Sequence, residues 1–269
     1  MPIRRFLDPT TDDDTTLFPV ELNGSAQVIW QQLVSQYCKR RLTLAKDKLP
    51  AVAGLAQHYA KYYVNLDADQ YLAGLWLSQL PHTLLWHIGH ISGVFASQHE
   101  LYRAPTWSWA YVDYDDIDWL GFDRDAETFA TIERAEISLP GENTYGQVRE
   151  AKLRIKAPLK RGLLLPDTHY GDYNEVWAED AIQEFRERIP GTRGARLGRI
   201  SFDLAEPRNS ENELLYVHCL RITPLAGLVI EPCGGDSSCQ IWRRVGVVDF
   251  FDSSICWWQN CVSSVITLI

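Results

Sequence analysis

The sequence predicts an α+β protein in which an N-terminal helical part packs on an antiparallel β barrel or sandwich. Three observations carry this. Apolar residues recur at helical spacing through the first hundred residues. After Trp107 the texture changes to short runs rich in Val, Ile, Leu and Tyr, and Gly, Pro, Asn and Asp clusters separate those runs. Helices followed by strands, rather than alternating with them, indicate segregated α+β packing instead of a parallel sheet. The expected organisation is an arm over residues 1–24, a helical part over 25–100 and a mainly β part over 101–269, with helices and strands forming one integrated domain.

The arm, DPTTDDDTTLFP and its flanks, is acidic and aperiodic. Ser25 can cap a first helix whose buried face is Ile29, Trp30, Leu33, Val34 and Tyr37, and the basic Lys39, Arg40 and Arg41 suit its C-terminus. Asp47 can cap a second, with Pro50 in its first turn and Val52, Leu55, Ala56, Tyr59 and Tyr63 as its stripe. Asp67 or Asp69 can begin a third through YLAGLWLSQL, ended or kinked by Pro81 before TLLWHIGHI continues. The expected strands are TWSWAYV, ETFATIERAEISL, VREAKLRIKAP, GLLLP, RISFDL, LLYVHCLRI, GLVIEP and IWRRVGVVDF. One acidic helical segment, VWAEDAIQEFRERI, interrupts them, and GTRGARLGR reads as a basic surface loop.

Composition narrows the function. The net charge of −9 gives no counterion-release benefit on nucleic-acid phosphates, so nucleic-acid and anionic-membrane partners are disfavoured. No run approaches the 18 to 20 apolar residues of a membrane span and no signal-peptide core follows Arg4 and Arg5, which predicts a soluble, cytoplasmic protein. The cysteines Cys38, Cys219, Cys233, Cys239, Cys256 and Cys261 are then expected as free thiols, and their spacings do not match a zinc knuckle. No glycine motif for a dinucleotide or a nucleoside triphosphate is present. Ten Trp, 12 Tyr and 9 Phe stand against a single Met, so rigid rings fill core and clefts.

Several constellations invite chemistry. His82, Trp86, His87 and His90 lie on a segment read as helical, where His87 and His90 share a face; they are metal-site candidates short of a third ligand, or a single His donates a hydrogen bond to substrate. Period-two alternation places Trp107 and Trp109 on one side of an extended YRAPTWSWA; the two indoles either lock the helical half onto the β half or wall a ligand cleft. Ser108 lacks the strand-turn-helix setting of a nucleophile. Arg103 has internal carboxylate partners available in DYDDIDW, and the acids there, Asp113 among them, form a solvated loop or contact a ligand.

YLAGLW (Tyr71 to Trp76), LLW (Leu84 to Trp86), YRAPTWSWA (Tyr102 to Ala110) and RRVGVV (Arg243 to Val248), with GLVIEP and LTLAKDKLPAVAGLA, resemble the C-terminal region of fungal heterokaryon-incompatibility (HET) proteins. In that family the region follows an N-terminal HET signalling domain, and this sequence begins after the point where that domain would end, so the signalling role is not carried over. HET-like proteins without the signalling half resemble enzymes of fungal specialised metabolism. The resemblance implies a cofactor-independent cyclase of intramolecular Diels–Alder (pericyclase) type that folds a hydrophobic polyene in an aromatic cleft. On that reading Trp76, Trp86, Trp107, Trp109 and Asp113 contact substrate, and His87 or Tyr102 supplies the hydrogen bond. The other reading is a non-catalytic HET-family interaction module.

Overall fold

A computed structural model describes residues 25–40, 42, 44–63, 69–89, 97–98, 102–120, 127–166, 174–178, 196–204, 215–234 and 240–269. The arm over 1–24, His90, and the acidic segment beyond residue 178 lie outside the described residues. Among the described residues, two α-helices and a large, mostly antiparallel eight-stranded sheet make an α+β fold. No helix among the described residues is long and apolar enough to cross a membrane.

Helix α1, Ala26–Cys38, starts where Ser25 accepts a bond from the Val28 amide, and buries Ile29, Trp30, Leu33 and Val34. Helix α2, Lys48–Tyr63, follows a 3-10 turn at Ala45–Asp47 and buries Leu49, Val52, Ala56 and Tyr59. Both stripes repeat every three or four residues, as a helix packed on one face requires.

The third helix does not form. Tyr71–Leu72 (β1) and Leu75–Trp76 (β2) make a hairpin instead, with Tyr71 opposite Trp76. Its two turn residues, Ala73 at φ 49° and Gly74 at φ 101°, take the left-handed conformation that a tight hairpin demands. All six residues from Tyr71 to Trp76 are buried, so the run carries no alternation by which to tell strand from helix. Asp69 caps the hairpin instead of a helix, accepting from the Gln70 and Ser78 amides at 2.9 and 2.8 Å.

A 3-10 turn at His82–Leu85 leads into Trp86–Ile88 (β3). Two further short strands, Ser97–Gln98 (β4) and Val112–Asp113 (β5), pair with each other, and Ile117–Trp119 (β6) pairs with β3 so that His87 faces Asp118. YRAPTWSWA is likewise not a strand: it turns at residues 104–108 and enters a 3-10 turn at Trp109–Tyr111 capped by the Ser108 hydroxyl.

The remaining strands are Thr131–Ser138 (β7), Glu150–Pro166 (β8), Asn174–Trp177 (β9), Arg196–Phe202 (β10), Leu215–Arg221 (β11), Ala226–Pro232 (β12), Ile241–Phe250 (β13) and Ser263–Leu268 (β14). VREAKLRIKAP and GLLLP are one 17-residue strand, β8. That length lets β8 pair with β7 and β14 near its start and with β9 and β11 near its end. Pairing runs β8–β9–β10–β13–β12–β11 and returns to β8, a closed circuit. Gly246 sits where β13 meets β10, and a Cβ there would collide with the Ser201 carbonyl.

Two buried clusters fill the structure. One joins the helices, the hairpin and the Trp segments to Leu220, Leu228, Ile230 and Trp242 of the sheet. The other takes Leu164, Val176, Ile200, Cys219, Val229 and Val248, one or more residues from each strand of the circuit. Strands buried on both faces read as continuous apolar runs, which is why GLVIEP and LLYVHCLRI are so rich in Leu, Ile and Val.

Gly74 joins the hairpin to the Trp cluster: its carbonyl accepts the indole N–H of both Trp30 and Trp109 at 2.9 Å, and a Cβ would lie 2.5 Å from Trp109 Nε1. Gly74→Ala is expected to cost about 2–4 kcal/mol through its positive φ and the displaced indole, read from urea unfolding.

Candidate functional site

LLW, YRAPTWSWA and RRVGVV, distant in sequence, meet around one side chain. Arg244 on β13 has no exposed side-chain surface and its partner Asp203, just past β10, has 2%. Arg244 Nε donates to Asp203 Oδ2 at 2.9 Å and Nη2 to Oδ1 at 2.8 Å, a two-pronged pair. Nη1 donates to the Leu84 carbonyl at 2.6 Å, Nη2 also to the Trp86 carbonyl at 2.5 Å, and the guanidinium lies 3.4 Å from the centre of the Trp86 ring. The Arg244 amide donates to Thr106 Oγ1 at 3.0 Å, and that hydroxyl in turn donates to the carbonyl of Ile269. Burial pushes the Asp203 carboxyl above its ordinary range and the Arg244 guanidinium below its own, while each charge pulls the other back.

A second buried guanidinium organises the neighbouring turn. Arg103 donates to the carbonyls of Ala110 at 2.7 Å, Tyr111 at 2.9 Å and Ala45 at 3.1 Å, and pairs with Asp113 at 2.7 Å. The internal partner is thus one of the acids that follow it in sequence. These bonds fix the 3-10 turn that carries Tyr111 onto the sheet.

There Tyr111 borders a cleft of about 440 Å³, at the end of the strand circuit where β8, β10 and β12 finish and β11 and β13 begin. Leu164, Phe202, Val217, Ile230 and Val245 supply apolar walls. Arg243 and Glu231, cross-strand neighbours on β13 and β12, pair with each other at its edge. Tyr216 lies under the Arg161 guanidinium at 4.4 Å, and His218 meets Trp242 edge-on at 4.9 Å. The volume falls in the range of small-molecule sites, about 300–1,000 Å³.

The residues singled out in the sequence go elsewhere. Trp76, Trp86, Trp107 and Trp109 are each at most 1% exposed, and none borders the cleft. The shared wall of Trp107 and Trp109 is corrected, because a 3-10 turn has no period-two alternation. Trp86 donates its indole N–H to the Trp107 carbonyl and Trp109 donates to Gly74, so both rings brace the segments around them, and Trp86 alone of the two also meets the strand circuit, under the Arg244 guanidinium. Asp113 is engaged by Arg103. Tyr102 is 55% exposed and away from the cleft. His87 is half-buried on a strand and not on a helix, with Nδ1 3.2 Å from the Ile88 carbonyl, and His90 lies outside the described residues. Among the described residues, no group of three or more His, Cys, Asp or Glu is placed to hold a metal ion.

Fold and site together define an α+β protein with a ligand-sized cleft where its helical half meets the end of a closed strand circuit. Comparison with protein-family models, with curated proteins and with solved structures gives no match.

Arg244→Ala would strand the buried Asp203 carboxylate and is expected to cost about 3–5 kcal/mol in denaturant unfolding. The double change Arg244→Met with Asp203→Leu removes both charges of this pair, and its loss should be the smaller of the two.

Proposed function

We propose that this protein is a cofactor-independent cyclase of intramolecular Diels–Alder type, as its likeness to HET-like proteins implies, and that it folds an apolar polyene in the cleft at the end of the strand circuit. The single observation that carries the reading is the character of the cleft. It pairs ligand-sized volume with aliphatic and aromatic walls, and its charges are spent on each other, Arg243 on Glu231 and Arg244 on Asp203. Such a surface holds a reactive conformer by shape, which is what a pericyclic reaction requires of a catalyst. In this reading the circuit is a β barrel, its interior is the second buried cluster and the cleft is its mouth. The support is that every strand of the circuit contributes to that cluster. Trp76, Trp86, Trp107 and Trp109 then act as scaffold and not as wall.

An interaction module that docks a partner through the Trp-rich segments is less well supported, because those indoles offer no exposed face.

The test is to incubate the purified protein with linear polyenes that carry a diene and a dienophile, and to follow the rate and stereochemical ratio of cyclised product by chiral chromatography. The expected result is a changed rate or ratio without added cofactor. Val245→Phe, which drives a ring into the cleft, should return the ratio to that of the uncatalysed reaction while the protein stays folded by circular dichroism. No effect of the wild-type protein on any polyene would sink the proposal.

A further inference from the structure

The cleft takes one polar group from the 3-10 turn at Trp109–Tyr111, the Tyr111 phenol, and its surroundings set it apart from the others. Tyr111 is half-buried, and its turn is held by Arg103 at the Ala110 and Tyr111 carbonyls and by the Ser108 hydroxyl at the Ala110 amide, none of which engages the phenol. Among the described residues, nothing donates to or accepts from its hydroxyl. The other polar groups are committed or wet. Arg244 spends its donors on Asp203, Leu84 and Trp86; Arg243 is paired with Glu231; Tyr216 is 39% exposed, where water competes for its hydroxyl. A half-buried hydroxyl with no protein partner, facing an apolar space, is a donor waiting for an acceptor.

We infer that the Tyr111 hydroxyl is the hydrogen-bond donor of the cleft, and that the ligand is an apolar compound bearing a carbonyl conjugated to its double bonds. This rests on the cleft being the ligand site. The bond runs from the phenol O–H to the carbonyl oxygen, and no proton is transferred. It draws electron density from the conjugated carbon–carbon double bond and so activates that bond as a dienophile, electrostatic help of the kind an oxyanion donor gives. Burial raises the phenol above its ordinary titration range, with the acids Asp203 and Glu231 adding to the rise and Arg243 opposing it. The group therefore keeps its proton at neutral pH and stays a donor. Tyr111 also ties recognition to the fold, since it reaches the sheet only while Arg103 holds the turn in place.

The experiment compares two isosteric probes, benzylideneacetone and 3-methyl-1-phenylbuta-1,3-diene, in which a methylene replaces the carbonyl oxygen. Affinities are measured by equilibrium dialysis for the wild type, Tyr111→Phe, Tyr216→Phe and the cleft-filling Val245→Phe. The expected result is that wild type and Tyr216→Phe prefer the enone by roughly two- to tenfold, the range of one neutral hydrogen bond, and shift its ultraviolet band to the red. Tyr111→Phe should bind both probes equally, without the shift, and melt within a few degrees of wild type because no bond to its hydroxyl is lost. If both probes bind, Val245→Phe blocks them, and Tyr111→Phe keeps the enone preference, the assignment of Tyr111 is overturned while the cleft stands. If neither probe binds the wild type, or Val245→Phe leaves binding intact, the cleft reading falls and takes this inference with it.

Discussion

The fold depends on one buried cation. Removing a guanidinium and a carboxylate from water costs several kcal/mol per ion, and the structure offsets this with a two-pronged ion pair, two backbone carbonyls and the face of Trp86 around Arg244. Those carbonyls, Leu84 and Trp86, belong to the helical half, whereas Arg244 and Asp203 belong to the strand circuit. One side chain thus makes the central polar join between two bodies that otherwise meet through apolar packing and the bonds of Thr106 to the Arg244 amide and the Ile269 carbonyl. Lysine could not replace it: an ammonium has no planar fork to reach a carboxylate and two separate carbonyls while stacking on an indole.

The same device recurs at Arg103, and together the two guanidiniums position the cleft. Arg244 brings Trp86 and the chain before it against β13, and Thr106 adds bonds to Arg244 and to the last residue, Ile269. Arg103 then sets the turn from which Tyr111 crosses to the sheet. The indoles fill the space behind both, with Trp30 and Trp109 sharing the Gly74 carbonyl. Aromatic richness in this chain therefore serves rigidity, and the cleft borrows its shape from strand ends and a single tyrosine.

Much of this was legible in the sequence, and the failures have physical causes. β13 coincides with IWRRVGVVDF, and α1 begins at its Ser25 cap, because turn residues and caps act locally. YLAGLW was misread because every residue in it is buried, which erases periodicity, and the Ala-Gly turn is a weaker hairpin signal than Asn-Gly. β9, four residues long, is too short to show an alternation on its own, and β14 opens on two serines and shows no regular alternation of burial. The Arg103–Asp113 pair spans ten residues and was foreseeable; Arg244 and Asp203 are 41 apart. Two consecutive arginines in a mainly apolar strand did carry a signal: period two sends one to each face, so a strand with one face against the core must bury one of them, here Arg244, while Arg243 stays exposed. The cleft had no such signature, since its lining comes from the ends of five strands and one distant turn.

The central claim is that the helical half and the strand circuit are one cooperative unit joined at Arg244. Hydrogen exchange followed by mass spectrometry across a urea series tests it, comparing peptides from residues 25–120 with peptides from 150–269 in wild type and in Arg244→Lys. The account predicts that both sets lose protection at a single urea concentration in the wild type and at two separate concentrations in the variant. Separate transitions in the wild type, or a single shared one in the variant, would contradict it.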